Sequence, residues 1–275
     1  MTQMRPRVLT IAGSDPGGGA GIQADLKTFS ALGVFGMTAI TAVTVQNTLG
    51  VSAFDEIAPA TVAEQIRAVG VDIGVDAAKT GMLASAAIVD VVAETVGDLR
   101  LPNLVVDPVF VSKHGHALLA DDAVESLRRS LLPLATLVTP NLPEAAGLAG
   151  FEVASRDDMR RAAEAILGLG PRAVLVKGGH LRGDRATDLF TDGADEGWID
   201  SERIDTPHTH GTGCTLSSAI TAHLARGASL LDAVRLGKVF VTEAIRHAFP
   251  LGRGIGPVDH LWSIGMPAAD GSDER

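Results

Sequence analysis

The stretch VLTIAGSDPGGGAGIQADLKTFSALG, residues 8–33, joins a short apolar run to a helical pattern through a glycine-rich loop. The apolar run, residues 8–13, has the length of a buried strand. Apolar side chains then recur at helical spacing up to a closing glycine, at Ile22, Leu26, Phe29, Leu32 and Gly33. A strand that leads through a loop into a helix predicts an α/β fold if the pair recurs along the chain.

The pair does recur. Further apolar runs that predict buried strands lie at residues 37–45, 77–83, 103–109, 136–140 and 173–179. Segments with helical spacing lie between and after them, at residues 86–99, 121–132, 156–170 and 215–227. This alternation predicts a largely parallel central sheet with helices on both faces. We expect a single domain over residues 1–275, with short tails at about 1–6 and 267–275.

Polar clusters follow several of the predicted strands directly: GSDPGGGAG, QNT, DPVFVSKHG, TPNLPEAAG and KGGH. Each cluster alone has the composition of an ordinary turn. In open parallel sheets, however, ligands bind beyond the carboxyl ends of the strands. Five such clusters therefore predict a binding site along one edge of the sheet.

A second glycine turn, HGTGC at residues 210–214, precedes a helical segment. Gly211 and Gly213 permit a close approach of the backbone to a ligand. The N–H groups of residues 211–214 would then point at one spot at a helix N-terminus, which favours a phosphate. The turn is not a Walker A loop, because no lysine follows its glycines.

Phosphoryl transfer needs positioning, charge neutralisation and an acceptor for the hydroxyl proton. Lys177 offers a cation near the predicted edge, and the segment from Asn141 to Glu144 offers a carboxylate. A nicotinamide-dependent dehydrogenase is disfavoured, because Ile22 stands where the dinucleotide fingerprint requires its last glycine. These residues favour a kinase.

Composition excludes other classes of protein. The formal net charge of -10 disfavours nucleic acid as a partner, since such binding depends on clustered Lys and Arg. The single cysteine cannot form an internal disulfide, and no apolar run is long enough to predict a membrane span. We therefore expect a cytoplasmic protein that acts on a small molecule.

Seven blocks carry a family resemblance: residues 12–51, KTGML, DPVFVSKHG, TPNLPEAAGL, VLVKGGHL, THGTGCTLSSAI and GRGIGPVDH. In this order they closely resemble the bifunctional hydroxymethylpyrimidine/phosphomethylpyrimidine kinases of thiamine biosynthesis. The resemblance implies a ribokinase-like three-layer sandwich and a homodimer. It also implies ATP and Mg²⁺, with phosphorylation of 4-amino-5-hydroxymethyl-2-methylpyrimidine to the monophosphate and then to the diphosphate.

The resemblance also implies residues for the pyrimidine. Asp25 and Gln46 are expected to hold the aminopyrimidine, and Gly13, Met82 and Val109 are expected to line its pocket. A glutamine amide donates and accepts hydrogen bonds at once, which suits a ring nitrogen beside an exocyclic amine.

At the nucleotide end, Lys177, Asn141 and Glu144 are expected to contact phosphates. Asp107 and Glu144 are expected to organise Mg²⁺, mainly through water, because this ion keeps much of its hydration shell. The alternative is that the acidic side chains and Asn141 are turn formers and that Lys177 is a solvated lysine at the edge.

Cys214 follows Gly211, Thr212 and Gly213 in the turn. Most sugar kinases of the superfamily have a general-base aspartate at that position. A cysteine at a helix N-terminus can have a lowered pKa, so we expect Cys214 to accept the hydroxyl proton as a thiolate. The alternative is a buried small hydrophobic residue, the commonest environment of a free cysteine.

Two further sets of residues lie in or near these blocks. Lys113, with His114, is expected to bind the phosphate of the monophosphate in the second step, although His114 and His116 depart from the usual AKSG pattern. His208 and His210 lack a third ligand at zinc-like spacing, which disfavours a metal site.

Two other functions remain open. A pyridoxal kinase of the same superfamily is the nearest, and Gln46 together with Cys214 favours the pyrimidine over it. A non-catalytic ligand-binding protein could retain the fold. Lys177, Glu144 and Asp107 disfavour that alternative, because a pure binding protein has no need of a phosphate site.

Overall fold

The structure, a computed structural model, describes residues 5–110, 121–179, 181 and 183–264. Its strands are β1 (Arg7–Ala12), β2 (Phe35–Ile40), β3 (Ala42–Asn47), β4 (Gly50–Glu56), β5 (Ala77–Thr80), β6 (Leu104–Val106), β7 (Leu137–Val138), β8 (Val174–Val176), β9 (Arg185–Thr191) and β10 (Glu196–Glu202). The predicted tails fall mostly outside the described residues.

The helices are α1 (Gly21–Ala31), α2 (Pro59–Asp72), α3 (Ala86–Asp98), α4 (Asp121–Ser126), α5 (Leu142–Ala149), α6 (Arg156–Leu167), α7 (Thr212–Ala225) and α8 (Leu230–Arg246). Helix α4 continues as a π-helical turn, Leu127–Leu131, and a short 3₁₀ turn, Leu132–Leu134. Of the helices described, none combines the length and the apolar character that a membrane span requires.

Eight strands form one sheet in the order β10-β9-β8-β7-β6-β5-β1-β2. All neighbours from β8 to β2 pair in parallel, whereas β9 runs antiparallel to both β8 and β10. The prediction of a largely parallel sheet is confirmed. The antiparallel hairpin at the edge was not expected, because the sequence of β9 and β10 is less apolar than that of the central strands.

Helices cover both faces of the sheet. In β1, Val8 packs with Phe29 of α1 and Ala222 of α7. The next residue, Leu9, belongs to the core on the other face, which also contains Ile66 of α2 and apolar residues of α3 and α6. Central strands of this kind are buried on both sides, which explains why they read as continuous apolar runs.

The single strand predicted over residues 37–45 is wrong, because the chain divides at Thr41 into β2 and β3. The Thr41 N–H donates to the Ala12 carbonyl at 3.1 Å, and its hydroxyl donates to the Met82 carbonyl at 2.6 Å. These bonds fix Thr41 at the sheet edge, and β3 leaves the sheet to pair antiparallel with β4. The break places Gln46 over the carboxyl ends of the strands.

Candidate active site

A cavity of about 640 Å³ lies at the carboxyl ends of β1, β5, β6 and β8. The structure brings twelve of the residues named from the sequence together in its wall: Gly13, Gln46, Met82, Asp107, Val109, Asn141, Glu144, Lys177, Gly211, Thr212, Gly213 and Cys214. Residues far apart in the chain meet here because parallel strands all end at one edge of the sheet.

The glycine turn before α7 has no room for a side chain at Gly211. Its φ is +83°, and a Cβ atom there would lie 1.7 Å from the carbonyl oxygen of Gly19. Helix α7 begins at the next residue without a side-chain cap. The Thr212 N–H donates to the Thr209 carbonyl at 3.4 Å and the Thr215 N–H to the Gly211 carbonyl at 2.9 Å, which leaves the N–H groups of Gly213 and Cys214 for a ligand in the cavity. The turn therefore forms an anion site at a helix N-terminus.

Lys177 lies beside this turn. Its Nζ is 2.9 Å from Oδ1 of Asp107 and 3.8 Å from Oε2 of Glu144. A Cβ atom on Gly213 would be 3.6 Å from the same Nζ. The cation and the free N–H groups thus face one region, where they could neutralise phosphate charge together.

The two carboxylates near Lys177 differ in their protonation. Burial disfavours the charge of Asp107, but the ammonium groups of Lys177 and Lys79 outweigh it and hold the pKa below its ordinary value. Burial raises the pKa of Glu144 to about 7, because Lys177 only partly offsets burial and Asp107 adds like charge. Asp107 is therefore the permanent anion, and Glu144 is near its titration point at neutral pH.

Asn141 and Glu144 also begin helix α5. Oδ1 of Asn141 accepts the Glu144 N–H at 2.9 Å, and Oε2 of Glu144 accepts the Asn141 N–H at 2.8 Å. This reciprocal pair is a capping box. The turn-forming alternative thus describes part of what these residues do, while both side chains still line the cavity.

Mg²⁺ would find no all-protein cage here. Among the described residues there is no group of three His, Cys, Asp or Glu side chains placed to hold a metal. Asp107 and Glu144 both lie close to the Lys177 ammonium. They therefore fit contact with Mg²⁺ through its waters, while substrate phosphates supply its other ligands.

Asp25 is not among the residues that line the cavity, and its expected contact with the pyrimidine stays a prediction. The side chain is fully buried behind the wall. Its carboxylate accepts hydrogen bonds from Lys79 Nζ at 3.0 Å, from the Thr10 hydroxyl at 2.6 Å and from the Ser218 hydroxyl at 2.6 Å. The carboxylate is committed to the protein itself, because its buried charge needs these partners.

The surroundings of Cys214 oppose the expected low pKa of its thiol, and its part in accepting the hydroxyl proton stays a prediction. Burial raises the pKa of the thiol to about 11, and Lys79 lowers it less than burial, Asp25 and Asp107 together raise it. The sequence placed Cys214 correctly in the first turn of a helix, but it did not show the neighbouring carboxylates. At neutral pH the ligand-free protein therefore has a thiol at this position.

The other end of the cavity has an apolar wall beside the amide of Gln46. Met82 packs in a small cluster with Ala42 and Val109, and a Cβ atom on Gly13 would be 3.2 Å from the Met82 sulfur. The half-buried Gln46 side chain lies beside them in the cavity wall. An apolar slot with one donor and acceptor group suits a flat heterocycle.

His210 and Asp15 were not predicted for this end of the site. The buried Nε2 of His210 lies 3.0 Å from Oδ2 of Asp15 and 3.2 Å from Nε2 of Gln46. His208 instead accepts the Gly256 N–H at Nδ1, 3.1 Å away, so the two histidines do not share a ligand. The position of His210 next to the glycine turn was the available signal, but its partner lies 195 residues away.

The sequence also gave no reason to single out Lys79, which is fully buried and has its pKa raised by Asp25 against the effect of burial. Lys113, His114 and His116 lie outside the described residues, and the phosphate contact expected of Lys113 stays a prediction.

A parallel sheet between two helical layers, with a free helix N-terminus beside a lysine at its edge, defines a small-molecule kinase of the ribokinase-like class. The phosphomethylpyrimidine kinase family matches residues 15–259. The chain is 58% identical over 260 residues to the hydroxymethylpyrimidine/phosphomethylpyrimidine kinase of Streptomyces coelicolor, covering 94% of this chain and 96% of that one. The chain therefore belongs to the phosphomethylpyrimidine kinase family, and the resemblance seen in the sequence is confirmed.

Solved structures confirm the predicted fold. An ADP complex of Bacillus subtilis pyridoxal kinase superposes with a TM-score of 0.87 at 44% identity, over 93% of this chain and 97% of that one. The phosphomethylpyrimidine kinase of Clostridium difficile 630 superposes with a TM-score of 0.78 at 47% identity, over 87% of this chain and 99% of that one.

Proposed function

We propose that this protein transfers the γ-phosphoryl group of ATP to 4-amino-5-hydroxymethyl-2-methylpyrimidine and then phosphorylates the monophosphate to the diphosphate, in thiamine biosynthesis. One observation carries the proposal. A single cavity holds the free N-terminus of α7 with Lys177 at one end and the amide of Gln46 beside Met82 at the other. A donor phosphate and an acceptor heterocycle can therefore meet in one site.

The phosphate end acts by electrostatics. The N–H groups of Gly213 and Cys214, with the Lys177 ammonium, would stabilise the charge that spreads over the transferred phosphoryl oxygens. Asp107 keeps Lys177 aimed at that region through the 2.9 Å contact. Mg²⁺, when bound with ATP, would add charge neutralisation, with Asp107 and Glu144 holding its waters.

The proton of the acceptor hydroxyl does not need a strong base. In a loose transition state the hydroxyl oxygen gains little bond order before the leaving oxygen has departed, so its proton leaves late. The thiol of Cys214, with a pKa of about 11, supplies almost no thiolate at pH 7. We assign the main contribution of this residue to its backbone N–H.

The cation for the second step is proposed to come from Lys113. The cytoplasmic homodimer implied by the family also stays a proposal.

A substrate comparison tests the function. Purified protein with ATP and Mg²⁺ is given the pyrimidine or pyridoxal, and products are resolved by mass. We expect a clearly higher kcat/KM for the pyrimidine. The high similarity to a pyridoxal kinase structure makes pyridoxal the alternative substrate, and turnover of pyridoxal alone would favour it.

A matched pair of glycine variants tests the anion site. Gly211→Ala should abolish turnover, because the new Cβ would lie 1.7 Å from the Gly19 oxygen and displace the turn. Gly227→Ala is the control, since Gly227 also has a positive φ, +88°, but nothing lies within 4 Å of the added atom. It should cost only about 1 kcal/mol of stability and keep kcat. Equal activity of both variants would contradict the proposed role of the turn.

A further inference from the structure

The polar contacts around Gln46 fix which way its side-chain amide points. Nε2 of His210 is within hydrogen-bond distance of both Oδ2 of Asp15 and the Gln46 amide. Asp15 is 1% exposed, and it also accepts the N–H groups of Gly17, Gly19 and Ala20. A carboxylate that accepts so many hydrogen bonds is ionised and accepts only. His210 must therefore carry a proton on Nε2, whatever the state of its other ring nitrogen.

A protonated Nε2 on His210 cannot accept a hydrogen bond from an amide NH₂ group, whereas an amide oxygen can share the proton that faces Asp15. The Gln46 oxygen, rather than its NH₂ group, must then face His210. The nitrogen and oxygen of an amide are assigned from such networks, so this exchange is a matter of hydrogen-bond chemistry alone.

A second contact demands the same orientation. The Thr44 hydroxyl is 2.7 Å from the Ser14 carbonyl oxygen, which can only accept, so its one proton is committed there. The Gln46 atom 3.4 Å from the Thr44 oxygen must then be a donor. Thr44 and His210 thus place the Gln46 NH₂ group on the Thr44 side and the oxygen on the His210 side.

This arrangement leaves the amide with one N–H and one oxygen lone pair for a ligand. The donor lies towards Thr44 and the acceptor towards His210. An aminopyrimidine has a matching edge, with a ring nitrogen that accepts beside an exocyclic amine that donates. Its ring can satisfy both groups in only one orientation.

We propose that His210, held by Asp15, is a positioning residue that orients the Gln46 amide and so selects an aminopyrimidine edge in one orientation. The inference rests on the proposed function. It assigns to His210 a part in substrate selection rather than in the phosphoryl transfer itself.

The test measures selection rather than activity. Calorimetry without ATP gives the Kd of the full-length protein for 4-amino-5-hydroxymethyl-2-methylpyrimidine and for 5-hydroxymethyl-2-methylpyrimidine, which lacks the amine. The wild type should prefer the amine roughly tenfold or more, as expected when a site's polar group is left unpaired. His210→Phe should reduce this preference to about twofold, because the amide is no longer held.

His210→Gln is the matched control, since its amide N–H can replace the Nε2 proton and should restore most of the preference. Thr44→Val removes the second orienting group without touching His210, and it should lower the preference about threefold. A purely structural role of His210 would weaken both ligands equally and leave their ratio unchanged.

An unchanged ratio in His210→Phe, or in Thr44→Val if the first variant does not fold, would overturn the inference while the proposed function stands. A wild-type protein that neither binds nor phosphorylates the pyrimidine would overturn both. A lost ratio in His210→Phe that returns in His210→Gln would support the inference.

Discussion

Two buried Lys–Asp pairs lie at the same edge of the sheet, and they have different roles. Lys79 and Asp25 are both completely inaccessible to solvent, with Thr10 and Ser218 completing the carboxylate's partners. Lys177 and Asp107 retain 14% and 3% exposure and face the cavity. The difference teaches that charge and chain position do not identify a reactive pair. Lys79 also reaches the cavity wall, but it has no solvent-exposed surface there, so a reactive pair is identified by the exposed atoms that it keeps in the cavity.

The largest expected effect concerns the fully buried Lys79–Asp25 pair. Asp25→Asn leaves the buried Lys79 ammonium without its counter-charge, so the free energy of unfolding should fall by about 3–5 kcal/mol. Urea denaturation measures it. The double variant Asp25→Leu/Lys79→Met should recover much of the loss, because no charge is then buried.

An exposed pair supplies the control for that experiment. Glu64 and Arg67 form a salt bridge with side chains 73% and 39% exposed. Glu64→Gln should change stability by less than about 1 kcal/mol. An equally small effect of Asp25→Asn would mean that the Lys79–Asp25 pair is not structural.

The second effect concerns the Lys177–Asp107 pair, which keeps exposed surface in the cavity. Lys177→Met should lower kcat by roughly 10²–10³, as expected when a group that stabilises the transition state is removed. Its stability loss should stay near about 1 kcal/mol, below that of Asp25→Asn, because the carboxylates it leaves can reach cavity water or take up a proton. Steady-state kinetics and urea denaturation on the same preparations separate the two. A variant that loses stability but keeps kcat would reverse the assignment of the two pairs.

Much of this site was accessible from the sequence, for identifiable reasons. Glycines and strand-end polar residues signal a ligand edge through local chemistry, which is why Gly211 and Lys177 were found. Asp25 was named only from the family resemblance, and no local pattern shows that it is buried against Lys79, 54 residues away.

Partners distant in sequence account for other differences as well. The division of the predicted strand 37–45 depends on a bond from Thr41 to Met82, and the role of His210 depends on Asp15. Sequence analysis also missed α2, α5, α8 and the strands β4, β9 and β10. Helix α5 is short and β4 and β10 are largely exposed, whereas α8 is a 17-residue amphipathic helix whose apolar spacing is visible in the sequence.

A third prediction concerns the pH dependence of Glu144, which lies beside the Lys177–Asp107 pair. Because the folded protein raises the pKa of Glu144 from its ordinary 4.5 to about 7, it binds this proton more tightly than the unfolded chain does. The stabilisation is present in full below about pH 4.5 and is lost as the pH rises through 7. The loss should be about 2–3 kcal/mol between pH 5 and pH 8.

Glu144→Gln keeps an oxygen for the Asn141 N–H and removes the titration. Thermal melting of both proteins across this pH range provides the measurement, and the difference between the two melting temperatures should change with pH. Parallel curves would show that Glu144 titrates normally.

The smallest expected effect concerns Cys214. Because its thiol has a pKa of about 11, Cys214→Ala should lower kcat at pH 7 by less than about tenfold, far below the 10²–10⁴ typical of a general base. A pH profile of kcat completes the test. A wild-type kcat that rises tenfold per pH unit above pH 7, with the rise absent in Cys214→Ala, would show that the thiolate is the base after all.

The central claim is that one site performs both phosphorylations of the pyrimidine. A time course with ATP, Mg²⁺ and hydroxymethylpyrimidine, sampled by mass spectrometry, tests it most directly. The account predicts that the monophosphate rises first and is then consumed as the diphosphate forms. Absence of both products, with pyridoxal phosphorylated under the same conditions, would contradict the account.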